Sequence, residues 1–292
     1  MIPKEVLQQV RQIELRTRRI VDTVLSGEYH SAFKGRGMEF SEVRAYTDGD
    51  DIRTIDWNVT ARMGSPYIKK YIEERELTVM LVVDASSSGN FGSVDKFKGE
   101  MAVELCSLLA FSAIRNNDRV GLIIFTSDIE VFIPPRKGKN HVLRVIRELL
   151  YFQPKHKGTD ISNALKFLNR VQTKTCIVFL VSDFISAEFE TPLRITSKRH
   201  DLVAISVTDP REESLPRIGL IELEDAETGE TILFDTRNKK ALDIYKREKE
   251  NQRKHLEETL KTMGVDEISI STNTGYVTPI VKFFRKREKM MR

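Results

Sequence analysis

The segment at residues 81–89 (LVVDASSSG) places three oxygen-bearing side chains, two residues apart, where an apolar stretch ends. These are Asp84, Ser86 and Ser88, and alternate positions of an extended or turning segment face the same side. Mg²⁺ takes oxygen ligands, few of them protein carboxylates, and keeps several waters. The spacing therefore predicts a site for Mg²⁺, or another divalent cation such as Mn²⁺, with a coordination position left open.

The composition limits the class of protein. The chain has 292 residues, of which 40% are hydrophobic and 31% charged, as expected for a soluble globular protein. Its 47 basic and 43 acidic residues nearly balance, so a general nucleic-acid-binding surface is not indicated. The longest apolar runs are far shorter than the roughly 18 residues of a membrane span, and the N-terminus does not resemble a signal peptide. We therefore expect a cytoplasmic protein without a membrane span.

From about residue 77 onward, apolar strands alternate with amphipathic helices. Strands are predicted at residues 77–83, 120–125, 130–133, 176–181, 202–207 and 265–271, and helices at 96–115, 139–151, 161–171, 189–198, 237–263 and 279–291. This alternation predicts an α/β, Rossmann-like domain over residues 77–292, with a mainly parallel six-stranded sheet and helices on both faces. A small hairpin is predicted near residues 218–235, before the longest helix of this domain.

Residues 1–76 differ in pattern and are predicted to form a separate N-terminal segment that packs on the main domain. The segment opens with a helix whose apolar residues recur at helical spacing: Val6, Val10, Ile13, Ile20, Val21 and Val24. A loop is predicted at residues 35–37 and a tight turn at 48–51. The alternation of Ile55, Trp57 and Val59 then indicates a strand.

Three segments with polar residues are predicted to lie at one end of the sheet, two directly after strands and one at the start of a helix. In open α/β sheets, ligands bind in the crevice beyond the carboxyl ends of the strands. Besides Asp84, the crevice should receive Thr159, which precedes the helix at 161–171, and Asp183, which follows the strand at 176–181. We expect Thr159 to be the N-cap of that helix, where the macrodipole would favour an anion or a metal-bound water.

The D-x-S-x-S motif, with a later Thr and a later Asp on a Rossmann-like alternation, resembles the metal-ion-dependent adhesion site of von Willebrand factor A domains. The resemblance implies that the metal ligands are Asp84, Ser86, Ser88, Thr159 and Asp183. It implies that the two serines and the threonine bind the metal directly, and that the carboxylates bind directly or through water. In that family, a partner's Glu or Asp fills the open position.

The N-terminal segment resembles the signature of domain of unknown function family 58 in GRGMEF at residues 35–40, GDDIR at 49–53 and IDW at 55–57. The two resemblances together cover about residues 30–280. Family members are commonly encoded beside a MoxR-type AAA+ ATPase, and the pair is thought to act in chaperone-like assembly or maturation of other proteins. The resemblance therefore implies such an ATPase as partner.

Three functions are consistent with these residues. The leading interpretation is a non-enzymatic, Mg²⁺-dependent protein-binding module, because the sequence has no Gly-x-Ser-x-Gly elbow, no nucleotide-binding loop and no paired histidine ligands. A metal-dependent phosphoester hydrolase is the first alternative, although such enzymes often use two metals. The second is a metal-free scaffold that binds its partner through the signature segment, residues 35–76, with Arg36, Arg53 and Arg62 as candidate contacts.

The basic C-terminal tail contains an apolar stretch, Ile280, Val281, Phe283 and Phe284. We interpret the tail as a helix that docks its apolar side on the domain and exposes its basic side to water. Contact with an anionic membrane or nucleic acid is the alternative interpretation of the same residues.

Overall fold

The computed structural model describes residues 4–24, 28–33, 38–73, 76–86, 97–186, 188–224 and 229–291. Its helices are α1 Lys4–Val24, α2 Glu28–Phe33, α3 Trp57–Met63, α4 Lys98–Arg115, α5 Lys139–Tyr151, α6 Ile161–Val171, α7 Glu190–Arg199, α8 Pro210–Glu213, α9 Lys239–Thr262 and α10 Val277–Met291. Its strands are β1 Met38–Ala45, β2 Tyr67–Glu73, β3 Thr78–Asp84, β4 Arg119–Phe125, β5 Ile129–Arg136, β6 Ile177–Ser182, β7 Asp201–Thr208, β8 Leu220–Glu224, β9 Thr231–Asp235 and β10 Asp266–Ser271. In these ranges no helix is both long enough and apolar enough to cross a membrane.

The main sheet has six strands in the order β10-β7-β6-β3-β4-β5. All neighbouring strands are parallel except β5, which runs antiparallel to β4. The central strand β6 is a continuous run of six buried residues, as expected where a parallel sheet is covered on both faces. The predicted α/β fold with a mainly parallel six-stranded sheet is confirmed.

Helices cover both faces of this sheet, and β3 shows how the two cores divide. Val79, Leu81 and Val83 join an apolar cluster with residues of α1, α2, α4, α5 and α10. Met80 and Val82 point the other way and join a cluster with residues of α6, α7 and the end of α9. Because successive side chains of a strand face opposite sides, a single apolar strand contributes to two cores.

Helix α1 packs on the main domain, as its apolar spacing predicts. Val10 and Val21 are buried, and Ile13 and Ile20 pack against the core cluster. The helix contacts α4 and α5. These contacts place α1 on the face of the sheet that also carries α2 and α10.

The signature segment forms an antiparallel pair, β1 with β2, and the short helix α3 between them. The strand predicted around Ile55, Trp57 and Val59 is wrong, because Trp57 begins a helix. The Asp56 carboxylate accepts hydrogen bonds from the backbone amides of Asn58 and Val59, at 3.0 and 3.2 Å, which starts the helix. Gly64, at φ +72°, ends it in the left-handed conformation that glycine adopts without strain.

Strand β5 forms one edge of the main sheet and carries two consecutive prolines, Pro134 and Pro135. The register with β4 shifts beside them: Ile133 pairs with Leu122, whereas Arg136 pairs with Val120. Proline lacks the amide hydrogen of a ladder bond and is therefore restricted to edges and bulges. The prolines occupy such a position here.

Helix α10 docks its apolar side on the domain, which confirms the interpretation of the C-terminal tail. Phe283 and Phe284 are buried, and Phe284 makes edge-to-face contacts with Tyr29 and Phe33 of α2. The basic side chains of Lys282, Arg285, Lys286 and Lys289 are exposed. Arg287 departs from this pattern because its side chain is buried beneath the helix.

Candidate functional site

The carboxyl ends of β3 and β6 lie side by side, because the two strands are parallel neighbours in which Val83 pairs with Val181. Asp84 is the last residue of β3, and Asp183 follows the end of β6. The fold thus brings together two carboxylates separated by about a hundred residues of sequence. Their position agrees with the crevice rule for open α/β sheets.

The Asp84 carboxylate is held by hydrogen bonds on both oxygens. Its Oδ2 accepts from the Ser182 hydroxyl at 2.6 Å, and its Oδ1 accepts from the Ser86 amide at 2.9 Å. Burial, and then the negative charge of Asp183, raise the pKa of Asp84 to about 6, although the hydrogen bonds from Ser182 and Ser86 act in the opposite direction. Ser86 itself is buried, and Ser88 lies outside the described residues.

Asp183 faces a buried lysine that sequence reasoning missed. Its Oδ2 accepts from the Lys98 ammonium at 3.1 Å, and its Oδ1 accepts from the Ile185 amide at 3.2 Å. The same ammonium donates to Oε1 of Glu212 at 2.7 Å. Burial lowers the pKa of Lys98, but the charges of Asp183 and Glu212 outweigh burial and raise it above its ordinary value. The Lys98 ammonium therefore stays protonated and contributes a positive charge to the site.

Thr159 lies in the loop before α6, and several hydrogen bonds position this loop. The Thr159 carbonyl accepts from the Ser186 hydroxyl at 3.0 Å, which ties the loop to the segment after Asp183. Glu130 accepts from the backbone amides of Lys155 and His156, at 3.1 and 3.0 Å. These bonds hold the threonine loop near the strand ends that carry the two carboxylates.

The N-cap of α6 is Asp160, not Thr159 as the sequence analysis expected. The Asp160 carboxylate accepts from the Asn163 amide at 2.8 Å. The Asp160 amide donates to the Thr126 carbonyl at 2.9 Å, which joins the start of the helix to the end of β4. The physical reason is the register of the helix: it begins one residue later than the threonine cap requires, so that Asp160 is the capping side chain.

The signature arginines occupy a different part of the chain. Arg53 lies in the 3₁₀ turn Ile52–Thr54 and Arg62 in α3, and both are exposed. Neither lines the two grooves that border Asp84 and Asp183. Arg36 lies outside the described residues.

Two grooves meet the strand ends. One, of about 770 Å³, is lined by Asp84, Ser86 and residues of α1, α4 and α5. The other, of about 740 Å³, is lined by Asp183, Glu212 and residues of α9. A partner that reaches the two carboxylates therefore has space on either side of them.

The donor atoms fit a hard divalent cation. Burial is the main cause that raises the pKa of Asp84, and the negative charge of Asp183 adds to it; a cation beside the two carboxylates would offset both effects. The remaining candidates, Ser86 and Thr159, supply oxygen, the ligand type that Mg²⁺ prefers. Within the described ranges, no group of three or more His, Cys, Asp or Glu residues could hold a metal, so hydroxyl ligands would have to complete the set.

Comparisons with known proteins identify the family of the chain from its sequence and the fold from solved structures. The family model described as "Protein of unknown function DUF58" matches residues 42–255. An uncharacterized protein of Mycobacterium tuberculosis (strain ATCC 25618 / H37Rv) is 31% identical over 283 residues, which make up 96% of this chain and 89% of that protein.

Solved structures show the fold. An aerotolerance-related membrane protein from Bacteroides fragilis NCTC 9343 matches with a TM-score of 0.50 and 18% identity, over 74% of this chain and all of that chain (100%). The SpRpn10 VWA domain matches with a TM-score of 0.42 and 11% identity, over 70% of this chain and 94% of that domain. The main domain has an α/β fold similar to that of the Bacteroides fragilis protein, and the chain belongs to the DUF58 family, a family of proteins of unknown function.

Proposed function

We propose that this chain is a protein-interaction module that holds Mg²⁺ at the strand-end crevice and binds a carboxylate of its partner through the metal. Asp84, Ser86, Thr159 and Asp183, with Ser88, would hold the ion. The bound metal would supply a positive charge with an open coordination position for a Glu or Asp side chain. We propose no catalytic role for the site, and Mn²⁺ would serve the same purpose as Mg²⁺.

The observation that carries this proposal is the meeting of Asp84 and Asp183 at the ends of two adjacent parallel strands. Each carboxylate has an oxygen already fixed by a backbone amide, so both groups are oriented before a ligand arrives. Preorganised oxygens reduce the ordering cost of metal binding. The negative charge of the pair also disfavours direct contact with an acidic partner unless a cation lies between them.

We propose a MoxR-type AAA+ ATPase as the partner, with a shared role in chaperone-like assembly or maturation of other proteins. This part of the proposal is supported by the resemblance of the signature segment alone. The cytoplasmic location stays a prediction and is compatible with such a partner.

Metal binding can be tested directly by isothermal titration of the whole protein with MgCl₂ and MnCl₂. We expect one site in the wild type and at least tenfold weaker binding after Asp84→Asn or Asp183→Asn. Glu213→Gln is the matched control, because this exposed carboxylate lines the same groove as Asp183 but makes only a surface ion pair with Arg253. Equal binding by wild type and Asp84→Asn would contradict the proposed metal site.

Partner binding needs a second measurement with the same variants. A purified MoxR-type ATPase should be captured by the wild type in Mg²⁺ and not in EDTA. The Asp84→Asn protein should capture the ATPase in neither buffer, and its circular dichroism spectrum should match that of the wild type. Capture that is independent of metal and of Asp84 would refute the metal-bridged mode of binding.

A second candidate, a metal-free scaffold that binds through the signature segment, is favoured by exposed apolar residues there. Trp57 is 70% exposed, Ile52 68% and Met63 60%. Arg53 and Arg62 are exposed beside them, and Trp, Met and Arg are enriched in the centres of protein interfaces. The Asp56 N-cap and the Arg44–Asp50 ion pair order the backbone of the segment that carries these side chains.

The two candidates predict different variants to fail in the capture experiment. If the signature surface makes the contact, Trp57→Ala and the double charge reversal Arg53→Glu with Arg62→Glu should abolish capture, whereas Asp84→Asn should not. If the metal site makes the contact, the order is reversed. Lys286→Glu with Lys289→Glu, at exposed positions of α10, changes the net charge by the same amount and is the control for a general loss of positive charge.

A further inference from the structure

Lys98 occupies a buried position at the start of a helix, which is unfavourable for a positive charge unless carboxylates compensate it. It is the first residue of α4, and its side chain is 4% exposed. The N-terminal end of a helix carries a partial positive charge, which disfavours a cation there. Burial of an ammonium adds a further cost unless carboxylates compensate it. The compensation comes from Asp183 and Glu212, in two different parts of the chain.

The Asp183 contact places the ammonium where a metal ligand is proposed. Lys98 Nζ lies 3.1 Å from Oδ2 of Asp183, and the other oxygen of that carboxylate accepts from the Ile185 amide. Metal coordination through Oδ2 would bring two cations to one oxygen. Two cations that contact the same oxygen lie close together, and like charges so close repel strongly in a buried site. The ammonium and the metal therefore compete for Asp183.

Glu212 can keep the Lys98 ammonium paired when Asp183 binds a metal. It is the shorter of the two contacts, at 2.7 Å. Oε2 of Glu212 accepts from the Asp209 amide in a capping box, and the Glu212 carbonyl accepts from the Tyr245 hydroxyl at 2.8 Å. The acceptor is thus fixed by its own helix and by α9, and does not depend on Asp183.

We propose that Lys98 is an internal counter-cation that competes with the divalent metal for Asp183, and that metal binding transfers its ammonium to Glu212 alone. This inference rests on the proposed metal site and adds its regulation. Lys98 lowers the affinity of the site for metal, and Glu212 lessens that effect. A change that moves α8 would alter metal affinity without touching a metal ligand.

The test is a double-mutant cycle on metal affinity, with Mn²⁺ as the probe and the electron paramagnetic resonance signal of the free ion as the readout. Lys98→Met should raise the affinity for Mn²⁺ at least tenfold. Glu212→Gln should lower it several-fold, because Lys98 then has only Asp183 as a carboxylate partner. Lys246 is an exposed lysine that lines the groove beside Asp183 and Glu212, so Lys246→Met should change the affinity for Mn²⁺ less than twofold.

The double variant separates direct competition from a general effect of charge. If Lys98 is the competitor, Glu212→Gln has no effect once Lys98→Met is present. If Glu212 acts only through its negative charge, Glu212→Gln lowers Mn²⁺ affinity by the same factor with Lys98 and with Lys98→Met, and this result would overturn the inference. Glu212→Gln keeps the Lys98–Asp183 pair, so it also tests the inference should Lys98→Met fail to fold.

Failure of the inference can be told apart from failure of the proposed function. Wild-type binding that depends on Asp84, together with unchanged or weaker binding by Lys98→Met, overturns the role of Lys98 and leaves the metal site standing. Binding by Lys98→Met but not by the wild type supports the inference in its strongest form. Absence of Mn²⁺ binding in both proteins overturns the metal site and the inference together.

Discussion

Replacement of Arg287 by methionine tests how α10 is held on the domain. The guanidinium makes two hydrogen bonds to Asp201, at 2.6 and 2.9 Å, and a third to Asp266, at 2.7 Å. It also lies 5.1 Å from the ring centres of both Phe33 and Phe283. One side chain therefore ties α10 to the starts of β7 and β10 and to α2.

The expected loss follows from what Arg287→Met leaves behind. The side chain of Asp201 is 6% exposed, so Arg287→Met takes the two hydrogen bonds and the positive charge of the guanidinium away from a buried carboxylate. Breaking a buried ion pair in this way costs about 3–5 kcal/mol. The entropy of unfolding of a chain this size is on the order of 0.6 kcal/mol per kelvin near 60 °C, so Tm should fall by about 5–8 °C.

Chemical denaturation and differential scanning calorimetry of the two proteins give both quantities. Lys286→Met is the matched control, since this exposed neighbour on α10 should change Tm by no more than about 1 °C. Asp201→Asn added to Arg287→Met should recover part of the loss, because it removes the buried negative charge that the guanidinium stabilises. A loss below about 1 kcal/mol, or equal to that of Lys286→Met, would refute the assigned role.

Three further predictions concern stability. Burial is the main cause that raises the pKa of Asp118 to about 6, so its protonated form favours the folded state and this contribution is lost as pH rises from about 4 to 6. Asp118→Asn keeps the acceptor for the Leu77 amide. Relative to the wild type, it should raise the unfolding free energy by about 2–3 kcal/mol more at pH 7.5 than at pH 4. Urea denaturation of both proteins at the two pH values measures this difference. Asp160→Ala removes the N-cap of α6 and should cost about 1 kcal/mol in the same assay, whereas Asp160→Asn should cost much less; equal losses would contradict the cap. Gly121→Ala would place a methyl group 2.6 Å from the buried sulfur of Met80 and should lower the unfolding free energy by about 1–3 kcal/mol, and an unchanged value would show that the core has room there.

The inner strands of the sheet, β3, β4, β6 and β7, could be predicted from sequence because they lie between two layers of helices. Such strands are apolar at nearly every position, as in the IVFLVS run of β6, and this signal does not depend on the rest of the fold. The position of Asp84 and Asp183 followed from the rule that ligands bind at the carboxyl ends of parallel strands. The two carboxylates were therefore within reach of sequence reasoning.

Other parts depend on information that a local pattern does not hold. Ile55, Trp57 and Val59 alternate as in a strand, but the Asp56 cap decides in favour of a helix. Lys98 and Asp183 are 85 residues apart, and their contact depends on how α4 packs on the sheet. The available signal was a lysine in the first turn of a predicted helix, where a cation is disfavoured.

The prolines of β5 also determine which mode of partner binding the sheet allows. Many interaction domains add a partner's extended peptide to a free sheet edge, through backbone hydrogen bonds. Along β5, Pro134 and Pro135 have no amide hydrogen and lie where the register with β4 shifts, so the regular row of backbone donors is broken there. A docking peptide could not form a continuous ladder there, and the same gap discourages edge-to-edge aggregation between copies of the chain.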